Sequence, residues 1–400
     1  MTNRCLHILR DPHLSHLTSA GAVCSHPSGE ISLRQSINYR TPLTNRPPAG
    51  VSFIEQPPCT GSDLAILAWF LKPADGRLKK HGPMFSGWGN RLTVEGSHFT
   101  LEILANDAVG GGFQSDQQTT EVFSRLDRTL SENRWSLLGN TVRTWVYVRD
   151  IDNQYQGMTV ARKAFFTGRG LTEKTRFIAS TGIEARSREA NELVSLDALS
   201  IGGLQAHQIQ RMEALQNLCP ASSYGVTFER GTRVRFGDRS HLWISGTASI
   251  DETGQVLFPT DVVAQTRRTL DDIEALLDPQ GATLRNLGHL VVYLRNRNHV
   301  TDVISVLRER ILNPCPGSWC KPLFADPPGS WKSKGWRWSV IKPLFSRFFK
   351  ASQVGRTRVS PCCTNCFKCR MASSRSSLTG KVRTIRSTIS RSATFLIVGA

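Results

Sequence analysis

Apolar and polar positions recur along this chain with two periods, and the longer period predicts helices. Apolar side chains at helical spacing occupy residues 119–130, 156–166, 261–277 and 301–310. The third segment is the most regular. Asp261 stands at its start, where a carboxylate can accept a hydrogen bond from a free backbone N–H group, so it is predicted to cap that helix.

The shorter period predicts strands between and around these helices. Short runs rich in β-branched and aromatic residues occur at residues 51–58, 64–71, 141–150, 176–185, 192–201 and 289–295. The runs RVRFG and HLWISG flank the turn sequence GDRS, which predicts a hairpin. Residues 1–50 show no sustained period and are rich in Ser, His, Pro and Arg, so we expect this segment to be poorly ordered.

Part of this pattern occurs twice. Residues 146–150 (VYVRD) match residues 292–296 (VYLRN) at an offset of 146, and the same offset pairs Arg162 with Arg308. A constant offset across a strand, a loop and a helix favours duplication over two unrelated strand–helix pieces. Each copy predicts the order β-β-α-β-α, and two more strands follow in the first copy only. This order predicts an α+β fold with helices on one face of each sheet.

The second copy should therefore also end in a strand like LVSLDALSI (193–201), but residues 318–336 have no alternation and are crowded with Pro, Trp and Lys. If codons are read from the third base, residues 317–338 can become RVLVQAAVCRPAWLVEVEGMAV. Its piece LVEVEGMAV aligns with the missing strand. Trp331-Lys332 forces the first glutamate of that piece. We therefore hypothesise a frameshift near residues 311–316, the alternative being that back-translation is flexible enough to yield such text by coincidence.

Charge is distributed very unevenly along the chain. The total net charge is +18, but residues 311–400 hold sixteen Lys or Arg against the single acid Asp326, so +15 lies there and only +3 remains for the first 310 residues. A basic patch typical of nucleic-acid binding is thus confined to the terminal segment. The out-of-frame hypothesis accounts for that segment equally well.

Cysteine usage predicts a reducing cytoplasm and no metal site. Cys363, Cys366 and Cys369 have metal-like spacing, but no second pair stands at a suitable distance and no histidine follows His299. The cysteines before residue 311 are scattered, as expected for free thiols. No apolar run approaches the roughly 18–20 residues that a membrane-spanning helix requires.

Five segments together resemble the Rid family, also called YjgF, RidA or endoribonuclease L-PSP-like, in a long two-unit form similar to the chorismatases. They are RTWVYVRDI, IASTGIEAR, YGVTFERGTRV, HLWISGTASID and VVYLRN, and the resemblance covers residues 50 to 310. It implies two tandem chorismate-mutase-like units. We assign residues 51–218 to the first and 219–311 to an incomplete second unit, with 312–400 an out-of-frame, disordered tail.

The resemblance also implies chemistry. Small Rid proteins hydrolyse reactive imines and enamines, chorismatases hydrolyse an enol ether, and both are usually described without a cofactor. Such a reaction needs a cation that holds a carboxylate and an acid that handles a proton. It further implies a homotrimer with ligand clefts between units.

Candidate substrate-binding residues follow from the matching motifs, and each has a plainer alternative. In the second unit they are Tyr224, Arg230, Ser245, Gly246, Thr247 and Arg295. In the first unit they are Ser180, Thr181, Gly182 and Arg186. The alternatives are a half-buried strand tyrosine, ion-paired surface arginines, and ordinary turns at strand ends, where Gly and Ser are common.

The catalytic acid of the family lies in the last strand, which this reading frame does not encode. Asp197 is its counterpart in the first copy, and from the sequence we expect it to face solvent. We therefore expect a Rid-type hydrolase or deaminase with little turnover. A metabolite-binding scaffold without catalysis and an RNA-binding or endoribonuclease-like protein are the alternatives.

Overall fold

The computed structural model describes twelve segments of the chain. They are residues 18–25, 50–56, 65–71, 78–86, 89–96, 99–109, 114–187, 189–218, 226–251, 253–312, 322–325 and 392–398.

A small sheet of three strands precedes the two main units. Strand β1 (Thr18–Ser25) lies between β2 (Gly50–Ile54), to which it is parallel, and β3 (Ala65–Leu71), to which it is antiparallel. The two strands expected around residues 51–71 are confirmed. The strand at residues 18–25 differs from our expectation of a poorly ordered segment, because it supplies the central strand of this sheet.

The first main unit is a six-stranded sheet with its long helices on one face. In chain order it comprises β4 (Lys79–Ser86), β5 (Gly89–Glu95), β6 (Thr100–Ala108), α1 (Ser115–Glu132), α2 (Leu137–Asn140), β7 (Thr141–Val148), α3 (Ile151–Gly168), β8 (Ala179–Glu184) and β9 (Val194–Gly202). The strand order is β4-β5-β6-β9-β7-β8, in which β7 and β8 are parallel and all other neighbours are antiparallel.

The second main unit has the same layout. It comprises β10 (Ile209–Met212), β11 (Gly231–Arg235), β12 (Ser240–Thr247), α4 (Val262–Leu277), β13 (Leu287–Leu294), α5 (Val300–Leu307) with a π-helical turn at Arg308–Leu312, β14 (Pro322–Ala325) and β15 (Ser392–Val398). The strand order is β10-β11-β12-β15-β13-β14. The offset of 146 seen in the sequence relates β7 to β13 at both ends.

The two sheets differ in one inner strand. In the first sheet β9 is antiparallel to both of its neighbours, β6 and β7. In the second sheet β15 takes the corresponding place between β12 and β13 but is parallel to both. Two short pieces of the terminal segment, β14 and β15, lie in this sheet. Between residues 318 and 340 the described part holds only the edge strand β14.

The two sheets face each other, and the long helices cover their outer faces. Apolar side chains of α1 such as Phe123 and Leu126 pack on Val146 and Leu196 of the first sheet. Between the sheets, residues such as Val142 and Leu199 of the first unit share a cluster with Val234 and Trp243 of the second. Full burial of one such side chain stabilises the fold by about 1.5–3 kcal/mol.

Helix α4 begins at the expected cap. The Asp261 side chain accepts a hydrogen bond from the Ala264 backbone N–H at 2.9 Å. This bond satisfies one of the four amide groups that the first turn of any helix leaves unpaired. The cap fixes where α4 starts, and with it the position of the first helical turn beside the second sheet.

We expect Asp261→Ala to lower the free energy of unfolding by about 1 kcal/mol, because the first turn loses its acceptor. Urea unfolding monitored by circular dichroism measures the change. Asp261→Ser is the matched control, since a serine hydroxyl can accept the same bond and should retain most of the stability. Equal losses in both variants would contradict the assigned cap.

Candidate functional site

The serine–threonine motifs of the two units meet where the sheets touch. Ser180 on β8 donates its backbone N–H to the Ser245 hydroxyl oxygen at the end of β12, at 2.9 Å. The neighbouring Ala179 N–H donates to Thr232 Oγ1 at 3.3 Å. Two motifs that lie 65 residues apart in the sequence therefore form one junction.

On β8 itself, alternation divides the candidates between two faces. Ser180 turns toward α3, where its Oγ accepts from Thr144 Oγ1 at 2.9 Å. Gly182 lies on the same face, and a Cβ there would come within 3.2 Å of the Tyr155 ring, so glycine allows α3 to approach the sheet. Thr181 turns the other way and accepts a hydrogen bond from the guanidinium of Arg143.

The second-unit candidates form the other side of the junction. Ser245 is fully buried, and its Oγ donates to the Glu229 carbonyl while its N–H donates to the Arg230 carbonyl at 2.9 Å. Arg230 is buried with its guanidinium carbon 5.6 Å from the Phe228 ring centroid. Thr247 Oγ1 donates to the Ser245 carbonyl at 3.1 Å.

Of two further candidates, one pairs with β15 and the other falls outside the described residues. Gly246 pairs with Phe395 of β15. Tyr224 falls within residues 219–225, which lie outside the described part of the chain.

The two remaining arginine candidates form ion pairs with acids of the first unit. Arg186 lies 3.7 Å from Glu55 Oε1. Arg295 at the end of β13 lies 3.1 Å from Asp152 Oδ2 in the first turn of α3, so this pair links the two units. Arg295 is buried, whereas the plainer alternative placed it in an ion pair at the surface.

A group of residues that the motifs did not single out lies between the sheets. Arg143, Trp145 and Tyr147 occupy alternate positions of β7 and share the face that carries Thr181. Arg143 is fully buried, with its guanidinium carbon 4.8 Å from the Trp145 ring centroid. It donates to the Thr144 carbonyl at 3.0 Å. Burial lowers the pKa of Arg143 to about 9, since the low-dielectric interior disfavours its charged form.

The expectation that Asp197 faces solvent was wrong. Asp197 is buried on β9 and accepts hydrogen bonds from Ser52 Oγ at 2.6 Å and from the Tyr147 hydroxyl at 3.2 Å. Burial and the adjacent carboxylate raise the pKa of the Tyr147 phenol well above its ordinary value. The alternation of VSLDAL gave no sign of this, because the sheet that covers Asp197 comes from a distant segment.

The second unit contributes a phenol to the same group. Tyr293 of β13 is buried and interacts electrostatically with Arg143 and Asp197. Its pKa is raised, chiefly by burial. We call Arg143, Tyr147, Asp197 and Tyr293 the intersheet cluster. It combines one buried cation, one buried carboxylate and two phenols contributed by both units.

A buried ion pair also joins the units. Arg176, which precedes β8, lies 3.1 Å from Glu229 Oε1, and Thr232 also donates to that carboxylate. Burial raises the pKa of Glu229. Both charged groups are removed from water, so each charge is stabilised mainly by the other. Removal of either partner would leave an uncompensated buried charge.

The part of the chain described here contains no group of three or more His, Cys, Asp or Glu side chains able to hold a metal ion. Cys363, Cys366 and Cys369 lie outside that part. Within it, none of the helices combines the length and the apolar character needed to cross a bilayer.

Comparison with known proteins identifies the class of this fold. Residues 234–322 match the family model described as Endoribonuclease L-PSP. A RutC family protein of Pyrococcus abyssi is 32% identical over 69 residues, which are 17% of this chain and 54% of that protein. The chain thus spans about half the length of that relative.

Among solved structures, a chorismatase superposes with a TM-score of 0.54 at 17% identity, over 75% of this chain and 87% of the chorismatase chain. The YjgF gene product of E. coli is covered over 80% of its own chain with a TM-score of 0.23 and 16% identity. The protein has an α+β fold like that of the chorismatase, and residues 234–322 resemble the Endoribonuclease L-PSP family.

We expect Arg176→Met to lower the free energy of unfolding by about 3–5 kcal/mol at neutral pH, because it leaves the Glu229 carboxylate buried without its cation. The folded-state pKa of Glu229 is already raised, so the folded protein holds this proton more tightly than the unfolded chain. The loss should therefore shrink as the pH falls and Glu229 becomes neutral. Urea unfolding at pH 8 and pH 5 measures both effects.

The double variant Arg176→Met/Glu229→Gln is the control for this pH dependence. It removes both charges, so the part of the change in unfolding free energy between pH 8 and pH 5 that arises at this site should disappear. A pH-independent loss in the single variant would contradict the assignment.

Proposed function

We propose that the chain binds a small carboxylate-bearing metabolite at the intersheet cluster and acts on it as a Rid-type hydrolase or deaminase. The substrate class is an imine, an enamine or a chorismate-like enol ether. The observation that carries the proposal is the buried guanidinium of Arg143 on the same sheet face as the Tyr147–Asp197 pair.

Arg143 supports the binding step. Its lowered pKa means that the protein interior stabilises the charged guanidinium less well than water does. A carboxylate placed against it would offset this deficit, and hydrogen bonds between two charged partners are roughly twice as strong as neutral ones. The adjoining Trp145 ring and the Thr181 hydroxyl provide apolar and polar walls for a small organic acid.

Asp197 and Tyr147 support the proton-transfer step. Hydrolysis of an imine or enol ether requires a base that activates water and an acid that protonates the substrate. Asp197 is oriented by two donated hydrogen bonds and could accept a proton from water. The phenols of Tyr147 and Tyr293 keep their protons at neutral pH, because burial raises the pKa of both. The Tyr147 proton is directed at Asp197, so Tyr293 is the phenol that could donate a hydrogen bond to the substrate.

Turnover in this chain is proposed to be weak. The repeat assigns a second carboxylate to the last strand of the second unit, and the present reading frame encodes residues 317–338 in place of that strand. We propose that a frameshift near residues 311–316 caused this loss. From the resemblance we further propose a trimeric assembly and a cytoplasmic location.

The function is tested by assaying ammonia release from enamine or imine substrates, and chorismate hydrolysis, with this chain and two variants. We expect Arg143→Met to weaken substrate binding about 10- to 100-fold, because a hydrogen bond to a charged group is lost. We expect Asp197→Asn to preserve binding and to lower turnover about 100-fold or more. Arg169→Met is the matched control, since Arg169 at the end of α3 pairs with Asp127 and belongs to no proposed site.

Unchanged binding and turnover in both cluster variants would contradict the assigned site. If ligands bind through Arg143 but no substrate is turned over, with or without Asp197, the metabolite-binding scaffold is the correct function. RNA binding that survives removal of residues 311–400 would favour the ribonuclease-like alternative, since the first 310 residues carry a net charge of only +3.

A further inference from the structure

In the first unit, one glutamine of the first helix holds the start of the strand β9. The Gln118 Oε1 atom accepts hydrogen bonds from the backbone N–H groups of Leu193 at 2.8 Å and Val194 at 3.2 Å. The Gln118 Nε2 atom donates to the Asn191 carbonyl at 2.7 Å. The side chain is fully buried and thereby fixes where β9 enters the sheet.

The second unit has a glutamine at the equivalent place. Gln118 is the fourth residue of α1, and Gln265 is the fourth residue of α4. Gln265 is also buried, and its Nε2 atom donates to the Phe258 carbonyl at 2.8 Å. Its Oε1 atom, however, is buried without a hydrogen-bond partner in the described part of the chain. Such buried acceptors destabilise a fold and are rare in native proteins.

The direction of β15 explains why that acceptor lacks donors. At the end of the first sheet nearest Gln118, β9 begins, with Val194 beside Val148 of β7. At the corresponding end of the second sheet β15 finishes, with Val398 beside Leu294 of β13. A strand that ends here does not present the two opening amide groups that β9 presents to Gln118.

We propose that the slot between β12 and β13, which β15 fills in the present chain, is a binding site for a strand that displaces β15 and runs antiparallel to both neighbours. The first two backbone N–H groups of that strand bond to Gln265 Oε1. Its occupant is the segment LVEVEGMAV, which codons read from the third base allow at residues 330–338 and which aligns with the β9 sequence LVSLDALSI (193–201). Where β9 packs Leu196 and Ala198 against the helices, this segment has the smaller residues Val and Gly.

The experiment compares the present chain with a restored chain in which residues 317–338 are replaced by RVLVQAAVCRPAWLVEVEGMAV. Gln265→Leu is introduced into both, with Gln118→Leu as the matched control in both. We expect Gln118→Leu to raise the unfolding equilibrium constant about tenfold or more in each chain, because it leaves two buried amide groups unpaired. We expect Gln265→Leu to change it less than about threefold in the present chain and about tenfold or more in the restored one.

The reason for the small effect in the present chain is that leucine removes a buried oxygen that has no donor, which offsets the lost bond to Phe258. If Gln265→Leu destabilises the present chain as much as Gln118→Leu does, the Gln265 Oε1 atom already has donors and the proposal is wrong. An equally small effect in a folded restored chain also overturns it. The readout is stability alone, so it stands or fails independently of the proposed function.

A second measurement applies if the restored chain does not fold. The fluorescently labelled peptide LVEVEGMAV is titrated into the full present chain and its anisotropy recorded, with a scrambled peptide as control. We expect saturable binding of the strand peptide that Gln265→Leu weakens about tenfold, and none of the scrambled peptide. Absence of binding, or binding that Gln265→Leu leaves unchanged, overturns the proposal.

Discussion

The second unit provides hydrogen-bond partners for the edge strand of the first sheet. The relative placement of the two units depends on these bonds. Strand β8 has a neighbour in its own sheet only on one side, so the backbone groups on its outer side require other partners. The Ser180 N–H finds the Ser245 hydroxyl, and the Ile178 carbonyl accepts from the Glu229 N–H at 3.3 Å. These bonds set the polar face of β7 opposite β13, and the intersheet cluster results from that alignment.

The cluster illustrates how a duplicated fold can build a polar centre inside an apolar layer. Neither sheet alone would bury Arg143, because a single α+β unit leaves one face of its sheet open to water. The opposing sheet removes that water, and the loss of hydration lowers the pKa of Arg143 while it raises those of Tyr147 and Tyr293. The electrostatics of the candidate site are therefore a consequence of the packing between units.

Much of the architecture could be predicted from the sequence, because helices and strands in this chain follow their periods closely. The repeat offset of 146 relates β7 to β13, and Asp261 marked the start of α4. The candidate site was harder to predict from the sequence. Asp197 looks exposed in its own strand, and only a segment far away in the sequence covers it. Likewise, no local pattern can reveal that β15 enters the sheet from residues 392–398, or in which direction it runs.

The two sheets that face each other belong to one polypeptide, and this has a thermodynamic consequence. Separate subunits that share such an interface dissociate when they are diluted, because their association depends on concentration. Here the junction at Ser180 and Ser245 closes within a single molecule, so the effective concentration of one half for the other is set by the connecting chain. The contact between the two halves therefore does not depend on the concentration of the protein in the cell.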